Sequence, residues 1–353
     1  MKGIILHGGH GTRLRPLTYA RPKQLLPIAN TPMSQYGLES LRNAGITDIA
    51  IIIGGSNSSK VRKYYGDGSE FNVNITYVEQ DEPKGISHAI GLCKDFVNDE
   101  KFVVFLGDNI LIKDITESVL KFKKSDDAAK ILLCEVSNPK QFGIADIEND
   151  GSIKKIMEKP KNPPTNLAVT GIYFLTPMIF EIIKNLKPSW RNELEITDAL
   201  DQMLEKNYKI TYHMITDYWK DTGTPYDVLH ANKEILDKMN GDFKGQKIGT
   251  PSISINATIG KGSIIKGDSK ISESVIIGKN CIIDNAYIGP HSSIGDNSII
   301  NSSKIENSII MENCKIEGKL LIKNSIIAKN SNINSENNEE KIFLLGEGTK
   351  ITL

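Results

Sequence analysis

Isoleucine recurs every six residues through the last third of the chain, and this period restricts the possible folds of that part more than any other feature. The series begins at Ile253 and still continues at Ile333. Glycine, asparagine, serine and lysine fill the spaces, as in GKGSII, GKNCII and GDNSII. Such a period is typical of a hexapeptide parallel β-helix, in which each coil buries its isoleucines against the next. We also expect the final stretch KIFLLGEGTKITL to close the helix end with a strand or two, after a polar loop at 334–341.

The first 240 residues follow a different pattern, in which apolar strands alternate with helical segments. The expected strands are 48–53, 75–79 and 102–106, and the expected helices are 33–43, 58–64 and 86–96. This alternation predicts right-handed crossovers and a mostly parallel sheet covered on both faces. We therefore divide the chain into an α/β domain, residues 1–240, and a β-helix domain with its closing strand, residues 241–353.

A glycine-rich loop follows the first expected strand, Gly3–Leu6. The loop reads GGHGTRLRPLT, and PKQLLPIANTPM follows it. Its glycines let backbone N–H groups face a bound anion, and Arg13 and Lys23 supply the positive charge that a triphosphate requires. The loop lacks both the GK[ST] ending of a Walker A loop and the G-x-G-x-x-G of a dinucleotide fold. It therefore predicts a triphosphate site of another type.

Composition excludes several classes of protein. The 353 residues carry a formal net charge of +0, which argues against a nucleic-acid partner. No run is long enough to span a membrane and no signal peptide is evident, so we expect a cytoplasmic protein without a membrane partner. The scattered cysteines, Cys93, Cys134, Cys281 and Cys314, form neither a metal-ligand pair nor a disulfide framework.

The whole stretch GGHGTRLRPLTYARPKQLLPIANTPM resembles the signature of the sugar-nucleotide pyrophosphorylases, and PKQLLPI is most similar to the glucose-1-phosphate thymidylyltransferases. Gln24 stands where the related uridylyl and adenylyl enzymes usually carry another residue. The resemblance implies a Rossmann-like nucleotidyltransferase domain followed by a left-handed β-helix. It also implies transfer of dTMP from dTTP to glucose 1-phosphate, which gives dTDP-glucose and pyrophosphate.

Two carboxylates are candidates for holding Mg²⁺. Asp108 directly follows an apolar strand, where a carboxylate can hold this ion. Asp221 lies in WKDTGT, which resembles the W-x-D-T-G-T segment of the family. The resemblance implies that Asp221 is the second metal ligand.

A second group of residues is expected at the sugar phosphate. Glu158 and Lys159 belong to an EKP segment, for which the resemblance implies contacts of the glutamate with sugar hydroxyls and of the lysine with the phosphate. Val169, in AVTGIY, matches the strand that lines the sugar pocket, and Gly143 matches a glycine whose backbone faces the sugar. Asn109, next to Asp108, completes the predicted set.

Base recognition is expected at Gln80 and Gly85, in YVEQDEPKGISHAI. An amide both donates and accepts, which suits the N3–H and carbonyl of thymine or uracil. His88 departs from the usual G-L-A-Q-A pattern of the family, and His7 and His10 depart from its usual phosphate loop. We interpret the three histidines as packing or loop variants, although His10 could add a pH-dependent contact near the triphosphate.

The predicted reaction is an in-line displacement at the α-phosphorus. We expect Arg13 to steady the β- and γ-phosphates and Lys23 to neutralise the α-phosphate and the sugar phosphate. No general base is required, because a phosphate monoester is already ionised. The predicted catalytic residues are Arg13, Lys23, Lys159 and Asp108. The predicted nucleotide-binding residues are Leu6, Gly8, Gly9, Gly11, Thr12, Arg13, Gln24, Gln80, Gly85 and Asp108. Thr197 and Asp198 precede a helical pattern, and we assign them a capping role.

Three alternatives remain open. The donor could be UTP, because thymine and uracil share the edge that an amide reads. The β-helix could carry an acetyltransferase site for an amino sugar, with His291, the only histidine in the repeat, as its base. The chain could also be a regulatory homologue that only binds sugar nucleotide. Contacts through the β-helix make a homo-oligomer plausible.

Overall fold

The computed structural model describes residues 1–9, 11–55, 58–335 and 339–353. Contacts group the chain into two compact units, each built from two separate stretches. Unit 1 comprises Met1–Gly9 and Ser34–Asp221, and unit 2 comprises His10–Met33 and Thr222–Leu353. The division at residue 240 along the sequence stays a prediction.

The strands and helices alternate as predicted up to residue 106, whereas residues 129–175 form four strands with no α-helix between them. The strands are β1 (Lys2–Leu6), β2 (Pro27–Ile28), β3 (Thr31–Pro32), β4 (Asp48–Ile53), β5 (Asn74–Glu79), β6 (Phe102–Leu106), β7 (Asn109–Leu111), β8 (Ala129–Glu135), β9 (Gly143–Ile147), β10 (Ile153–Glu158), β11 (Leu167–Leu175), β12 (Ile210–Met214) and β13 (Trp219–Asp221). The helices are α1 (Met33–Asn43), α2 (Ser58–Tyr65), α3 (Ile86–Gly91), α4 (Lys94–Val97), α5 (Thr116–Lys124), α6 (Met178–Ile183), α7 (Ile196–Glu205) and α8 (Pro225–Leu236). The helix expected over 86–96 is therefore two short helices.

The large sheet of unit 1 is mixed. Its strands follow the order β10-β9-β11-β6-β1-β4-β5, and β8 joins β11 to β12. Strands β1, β4, β5 and β6 pair in parallel, as the helical crossovers between them require. Strand β11 runs antiparallel to β6, β8 and β9, and β9 forms an antiparallel hairpin with β10. The parallel half therefore agrees with the alternating sequence pattern, and the antiparallel half comes from segments joined without such crossovers.

Strand β1 lies at the centre of the sheet and is covered on both faces. Ile4 and Ile5 point to opposite faces and are both fully buried. Gly3 lies against Leu41, Ile46 and Ile49, and a side chain at this position would crowd them. The carboxyl ends of β1 and β6 therefore stand side by side at one edge of the sheet.

The last third of the chain forms three parallel sheets, which confirms the predicted β-helix fold. The first β-helix sheet contains Asp242–Phe243, Thr258–Ile259, Val275–Ile277, Ser292–Ile294, Ile309–Ile310, Ile326–Ile327 and Leu344–Leu345. The second contains Gln246–Ile248, Ile264–Lys266, Ile282–Asp284, Ile299–Asn301, Lys315–Gly318, Asn332–Ser335 and Lys350–Thr352. The third contains Ser252–Ile253, Lys270–Ile271, Tyr287–Ile288, Lys304–Glu306, Leu321–Lys323 and Glu340–Lys341.

Isoleucines of equivalent position stack along the β-helix. Ile265, Ile283, Ile300, Ile316 and Ile333 pair in turn within the second β-helix sheet, and each is fully buried. This column accounts for the six-residue period, because one residue of each short strand must point inward.

The end of the chain differs from the expectation. The final stretch adds a strand to each of the three β-helix sheets, at Glu340–Lys341, Leu344–Leu345 and Lys350–Thr352. It therefore forms a further coil, because its apolar residues continue the same stacking. Of the polar loop expected at 334–341, residues 334–335 continue a strand, and 336–338 lie outside the described residues.

Asparagine and serine have distinct roles in the coils. Asn280, Asn297, Asn313 and Asn330 occupy left-handed backbone positions at corners, which asparagine tolerates better than most residues. Buried serines join successive coils: the Ser263 hydroxyl donates to the Gly278 carbonyl at 2.7 Å. Polar residues between the isoleucines therefore satisfy the backbone where the chain turns.

Two further observations concern the whole chain. Cys93, Cys281 and Cys314 are buried and Cys134 is half-buried, and all four are free thiols. Within the described parts of the chain, every helix is too short or too polar to cross a membrane.

Candidate active site

The loop that follows β1 begins at the carboxyl edge of the sheet. Leu6 ends β1, and Gly8 and Gly9 are exposed directly after it. Between Leu6 and Gly8, the His7 ring is 6% exposed and lies edge-on to Tyr65, with ring centroids 6.0 Å apart. Burial lowers the pKa of His7 to about 3, although the charge of Asp108 opposes this shift. His7 is therefore a neutral packing residue, and His10 lies outside the described residues.

The two predicted metal ligands lie at the ends of paired strands. In the antiparallel pair of β7 and β13, Asp221 is the register partner of Asn109, the residue after Asp108. The Asn109 side-chain oxygen accepts from Trp219 Nε1 at 2.8 Å and from the Gly171 N–H at 3.3 Å. The amide nitrogen of Asn109 therefore points in the opposite direction, and it donates to Asp108 Oδ1 at 3.0 Å. Asn109 therefore orients Asp108.

One cavity of about 210 Å³ brings together the predicted sugar-phosphate residues. Its lining includes all five of them, Asn109, Gly143, Glu158, Lys159 and Val169. Asp221 and Trp219 also line it, so the β13 end borders the same space. Every lining residue belongs to unit 1.

Glu158 is the central acidic group of this cavity. Its Oε1 atom lies 3.3 Å from Arg191 Nη1 and 3.5 Å from Lys159 Nζ. Its Oε2 atom accepts from the Thr197 hydroxyl at 3.1 Å. Burial raises the pKa of Glu158, and the nearby charge of Glu195 adds to this, while Lys159 and Arg191 oppose it. The site thus holds a carboxylate beside two cations, a combination that can accept from hydroxyl donors and attract an anion.

Gly143 is required by close packing beside this carboxylate. A Cβ atom at this position would lie 2.6 Å from the Thr197 methyl group and 3.4 Å from Glu158 Oε2. The absence of a side chain leaves the backbone of β9 exposed to the cavity. The predicted glycine therefore admits a ligand close to the main chain.

The stretch Arg191–Thr197 contributes to the cavity, and sequence reasoning missed this. Arg191 also pairs with Glu193 at 3.1 Å and with Glu195 at 3.2 Å. The predicted cap at Thr197 is wrong, because α7 begins at Ile196 with Glu195 as its cap residue and no side-chain capping bond. Thr197 instead faces Glu158. The motif N-E-L-E-I-T-D was a signal, but its threonine before an amphipathic helix fits a cap equally well.

The predicted base contacts lie in unit 1 but do not line this cavity. The Gln80 side chain is 8% exposed, and its amide nitrogen lies 3.0 Å from His88 Nδ1. Because an amide nitrogen can only donate, the His88 nitrogen accepts in this arrangement. His88 is therefore a partner of the predicted base-reading amide and not only a packing variant. Gly85 has a φ of 104°, and a Cβ atom there would meet the Leu194 backbone at 2.5 Å.

The remaining predicted nucleotide residues belong to unit 2. They are Gly11, Thr12, Arg13, Lys23 and Gln24. A short 3₁₀ turn, Thr12–Leu14, contains Arg13, and another, Lys23–Leu25, contains Lys23 and Gln24. The Thr18 hydroxyl donates to the Gly11 carbonyl at 2.8 Å and so fixes the first turn. Arg13 is exposed, whereas Gln24 is 1% exposed.

Similarity to known proteins covers both parts of the chain. A family model described as "Nucleotidyl transferase" matches residues 2–238, and one described as "GMPPB C-terminal domain" matches residues 282–352. A crystal structure of a Bacillus anthracis protein assigned provisionally as a glucose-1-phosphate thymidylyltransferase, in complex with a sucrose, superimposes with a TM-score of 0.64 at 43% identity. The match covers 69% of this chain and 98% of that one.

Two curated relatives match most of the chain. The low-salt glycan biosynthesis nucleotidyltransferase Agl11 of Haloferax volcanii is 48% identical over 259 residues, which are 73% of this chain and 71% of that protein. A glucose-1-phosphate thymidylyltransferase of Streptomyces antibioticus is 39% identical over 291 residues, or 82% of this chain and 81% of that one. A match of this length must reach into the β-helix of this chain.

Proposed function

Because this chain belongs to the nucleotidyl transferase family and resembles its sugar-1-phosphate enzymes, we propose that it transfers dTMP from dTTP to glucose 1-phosphate. The products are dTDP-glucose and pyrophosphate. The observation that carries the proposal is the single cavity lined by Asn109, Gly143, Glu158, Lys159 and Val169. Its mixed charge suits a ligand that presents hydroxyls at one end and a phosphate at the other.

The sugar phosphate is both the acceptor and the nucleophile. Lys159 and Arg191 already lie within 3.5 Å of Glu158 Oε1, so two cations are available where the phosphate would enter. Glu158 then accepts from sugar hydroxyls, with Thr197 holding its other oxygen. A phosphate oxygen attacks the α-phosphorus directly, because it is already ionised at neutral pH. This route requires no side chain to remove a proton.

Mg²⁺ is the cofactor that the proposal requires, and the residues fit it. Asp108 and Asp221 are carboxylates, which are the hard oxygen donors that this ion prefers, and the β7–β13 register brings them to neighbouring positions. The described residues contain no group of three or more His, Cys, Asp or Glu side chains arranged to hold a metal. Phosphate oxygens and water would complete the coordination, and the ion would supply charge neutralisation at the phosphates.

Contacts with the triphosphate are assigned separately in each unit: to the loop after β1 in unit 1, and to the cations of residues 11–33 in unit 2. The exposed backbone of Gly8 and Gly9 can face phosphate oxygens. Arg13 would hold the β- and γ-phosphates, which leave as pyrophosphate. Lys23 would neutralise the α-phosphate as the acceptor approaches.

The base is assigned to Gln80. With its amide nitrogen turned to His88, the side-chain oxygen is left to accept from N3–H of thymine or uracil. Uracil presents the same group, so UTP is the second candidate donor. Gln24 favours dTTP as the donor, because the segment PKQLLPI, which contains it, is similar to that of the thymidylyltransferases.

The test is a release assay for pyrophosphate with Mg²⁺. Five triphosphates, dTTP, UTP, CTP, GTP and ATP, are each paired with glucose 1-phosphate and with N-acetylglucosamine 1-phosphate. We expect the highest kcat/KM for dTTP with glucose 1-phosphate, and loss of release with EDTA. The control is Lys154→Ala, because Lys154 pairs with Glu148 on the exposed side of the β9–β10 hairpin and should leave activity unchanged.

Other outcomes would replace parts of the proposal. Faster turnover with UTP would make the chain a uridylyltransferase. Absence of release from every pair, with tight binding of dTDP-glucose, would show a regulatory protein. Acetyl transfer from acetyl-coenzyme A to an amino sugar would show a second activity in the β-helix.

A further inference from the structure

We infer that the β-helix positions the triphosphate-binding segment, so that Arg21, Asn30 and Asn232 are positioning residues for nucleotidyl transfer. This inference rests on the proposed function, because it assumes that Arg13 and Lys23 bind the triphosphate. Residues 11–33 carry both cations and belong to the same compact unit as α8 and the β-helix. The contacts within that unit are specific and lie along one corner of the coils.

The first set of contacts attaches the segment to the corner that follows the first β-helix sheet. Arg21 Nη2 lies 2.8 Å from Glu312 Oε1, and Asn30 Nδ2 donates to the Ile294 carbonyl at 2.8 Å. At the far end, Gly346 lies beside Pro16, because a Cβ atom on Gly346 would be in ordinary van der Waals contact with the Pro16 Cβ, at 3.4 Å.

These contact points belong to one row of the solenoid. Ile294, Ile310, Ile327 and Leu345 pair in turn between successive coils. Asn30 contacts Ile294, at the end of the first of these strands. Arg21 contacts Glu312, just after the strand that contains Ile310. Pro16 lies beside Gly346, which follows the strand that contains Leu345. The segment therefore runs along the coil corners, and successive coils hold successive parts of it.

A second set of contacts converges on Asn232 of α8, which is fully buried. Its side-chain oxygen accepts from the Ala29 N–H at 2.8 Å and from the Ser293 hydroxyl at 2.6 Å. Its amide nitrogen donates to the His291 carbonyl at 2.9 Å. One buried amide thus joins the segment, the helix and the β-helix, and removal of it would leave buried polar groups without partners.

The Asn232 contact fixes a backbone turn that the residues alone would not favour. Ala29 and Asn30 connect β2 to β3 and have φ values of 47° and 61°. A two-residue hairpin turn with both φ values positive normally contains asparagine and glycine, and alanine adopts this conformation rarely. The bonds of Asn232 to Ala29 and of Asn30 to Ile294 hold the turn in place.

Two anchors, the Arg21–Glu312 ion pair and the Ala29–Asn30 turn, lie on either side of Lys23 along the sequence. Lys23 and Gln24 occupy the 3₁₀ turn Lys23–Leu25, between Arg21 and the Ala29–Asn30 turn. A shift at either anchor would displace this turn, and a displacement of about 1 Å is enough to cost up to 100-fold in an oriented reaction. The predicted sugar-phosphate residues lie in unit 1.

The experiment measures binding of the triphosphate and of the sugar phosphate separately. Arg21→Ala, Glu312→Ala and the double variant are compared with the wild-type protein, using the triphosphate that the wild type turns over fastest. We expect KM for the triphosphate to rise about 5- to 20-fold in each single variant, with an unchanged KM for the sugar 1-phosphate. The double variant should resemble the single variants, because both substitutions break the same contact. Arg21→Lys should restore part of the affinity.

The matched control is Lys266→Ala, which breaks a β-helix ion pair with Asp284 at 3.1 Å that does not involve the segment. It should leave both KM values unchanged. Asn232→Ala is expected to show the largest rise in KM for the triphosphate and a lower Tm, and the arginine variants provide the test if it does not fold. Unchanged triphosphate affinity in Arg21→Ala and Glu312→Ala would overturn the inference alone. Absence of triphosphate binding by the wild type would overturn the proposed function and this inference with it.

Discussion

The mixed sheet of unit 1 and the β-helix of unit 2 both contain parallel strands, but their paired strands lie at very different separations along the chain. In the sheet, Ile4 pairs with Val104. In the β-helix, Ile283 pairs with Ile300 and Ile300 with Ile316. Distant pairing brings unlike segments together and leaves room for an irregular cavity, whereas serial pairing produces a uniform apolar interior. Chemical variety is therefore concentrated in the sheet.

The two regions also bury polar groups differently. The cavity of unit 1 places Glu158 and Glu195 near Arg191, so charges offset one another there. In the β-helix the buried polar side chains are hydroxyls, such as that of Ser263, which bond to the backbone. Substitutions in the cavity should therefore change the reaction, and substitutions in the β-helix core should change stability first.

The largest expected effect tests the β-helix side of this contrast. Ile300→Ala removes a fully buried side chain from the isoleucine column and should lower the free energy of unfolding by about 2–5 kcal/mol. The matched control is Ile299→Ala, because Ile299 is half-buried and points away from the interior. Chemical denaturation measures both variants. Equal losses in the two would show that the column is not the main source of stability.

The next effect tests the cavity side. Lys159→Ala should lower kcat/KM by about 10²- to 10³-fold, because it removes a preorganised cation from the proposed phosphate position. The free energy of unfolding should change little, since Lys159 is half-buried and its contact with Glu158 is 3.5 Å long. Pyrophosphate release and denaturation are measured on the same preparation. A large loss of stability would contradict the separation of roles.

A smaller effect concerns His7 and the pH dependence of stability in unit 1. The pKa of His7 is about 3 in the folded protein, below the value of 6.5 for an exposed histidine. Below pH 6.5 the unfolded chain binds a proton that the folded protein does not, so stability falls as the pH falls towards 3. Between pH 7 and pH 5 the loss from His7 should be about 2 kcal/mol.

His7→Ala checks this assignment. The variant is less stable at pH 7 because it loses the packing against Tyr65, but its stability should fall less steeply towards pH 5. Denaturation at pH 7, 6 and 5 gives the slope for each protein. Parallel slopes in wild type and variant would show that other groups cause the acid sensitivity.

The smallest expected effect concerns base selectivity. His88→Ala removes the acceptor for the Gln80 amide, so the amide can turn and present its nitrogen to a base. We expect the kcat/KM ratio of dTTP to CTP to fall by about 3- to 10-fold, the effect of one hydrogen bond. His88→Gln should keep the ratio, because glutamine can still accept. An unchanged ratio in His88→Ala would limit His88 to packing.

Sequence reasoning worked best where structure depends on local pattern. The period from Ile253 to Ile333 identified the β-helix, because each strand meets the next coil at nearly constant spacing. The EKP segment likewise identified Glu158 and Lys159, which line the cavity. The sequence offered no comparable signal for the antiparallel pairing of β11, because that pairing joins segments with no periodic relation.

Where one residue could satisfy two roles, local pattern indicated the wrong one. Thr197 precedes an amphipathic helix and so matched a cap, but the fold turns its hydroxyl to Glu158. Arg191 had no distinguishing neighbour in sequence, and only the fold places it beside three carboxylates. The ion pair of Arg21 with Glu312 joins residues that are far apart along the chain, and the local sequence around neither residue predicts it.

The contacts along the coil corner restrict how the β-helix can change in length. Residues 16–30 touch points from Ile294 to Gly346, so the number of coils between those points must match the reach of the segment. Insertion of one extra coil there would separate two anchors by about 5 Å, the spacing of neighbouring strands. A coil inserted before Ser252 would leave the spacing of those points unchanged, but it would lengthen the path from α8 to the coil that Asn232 contacts. Natural or engineered variation in solenoid length should therefore be rejected in the second half of the repeat.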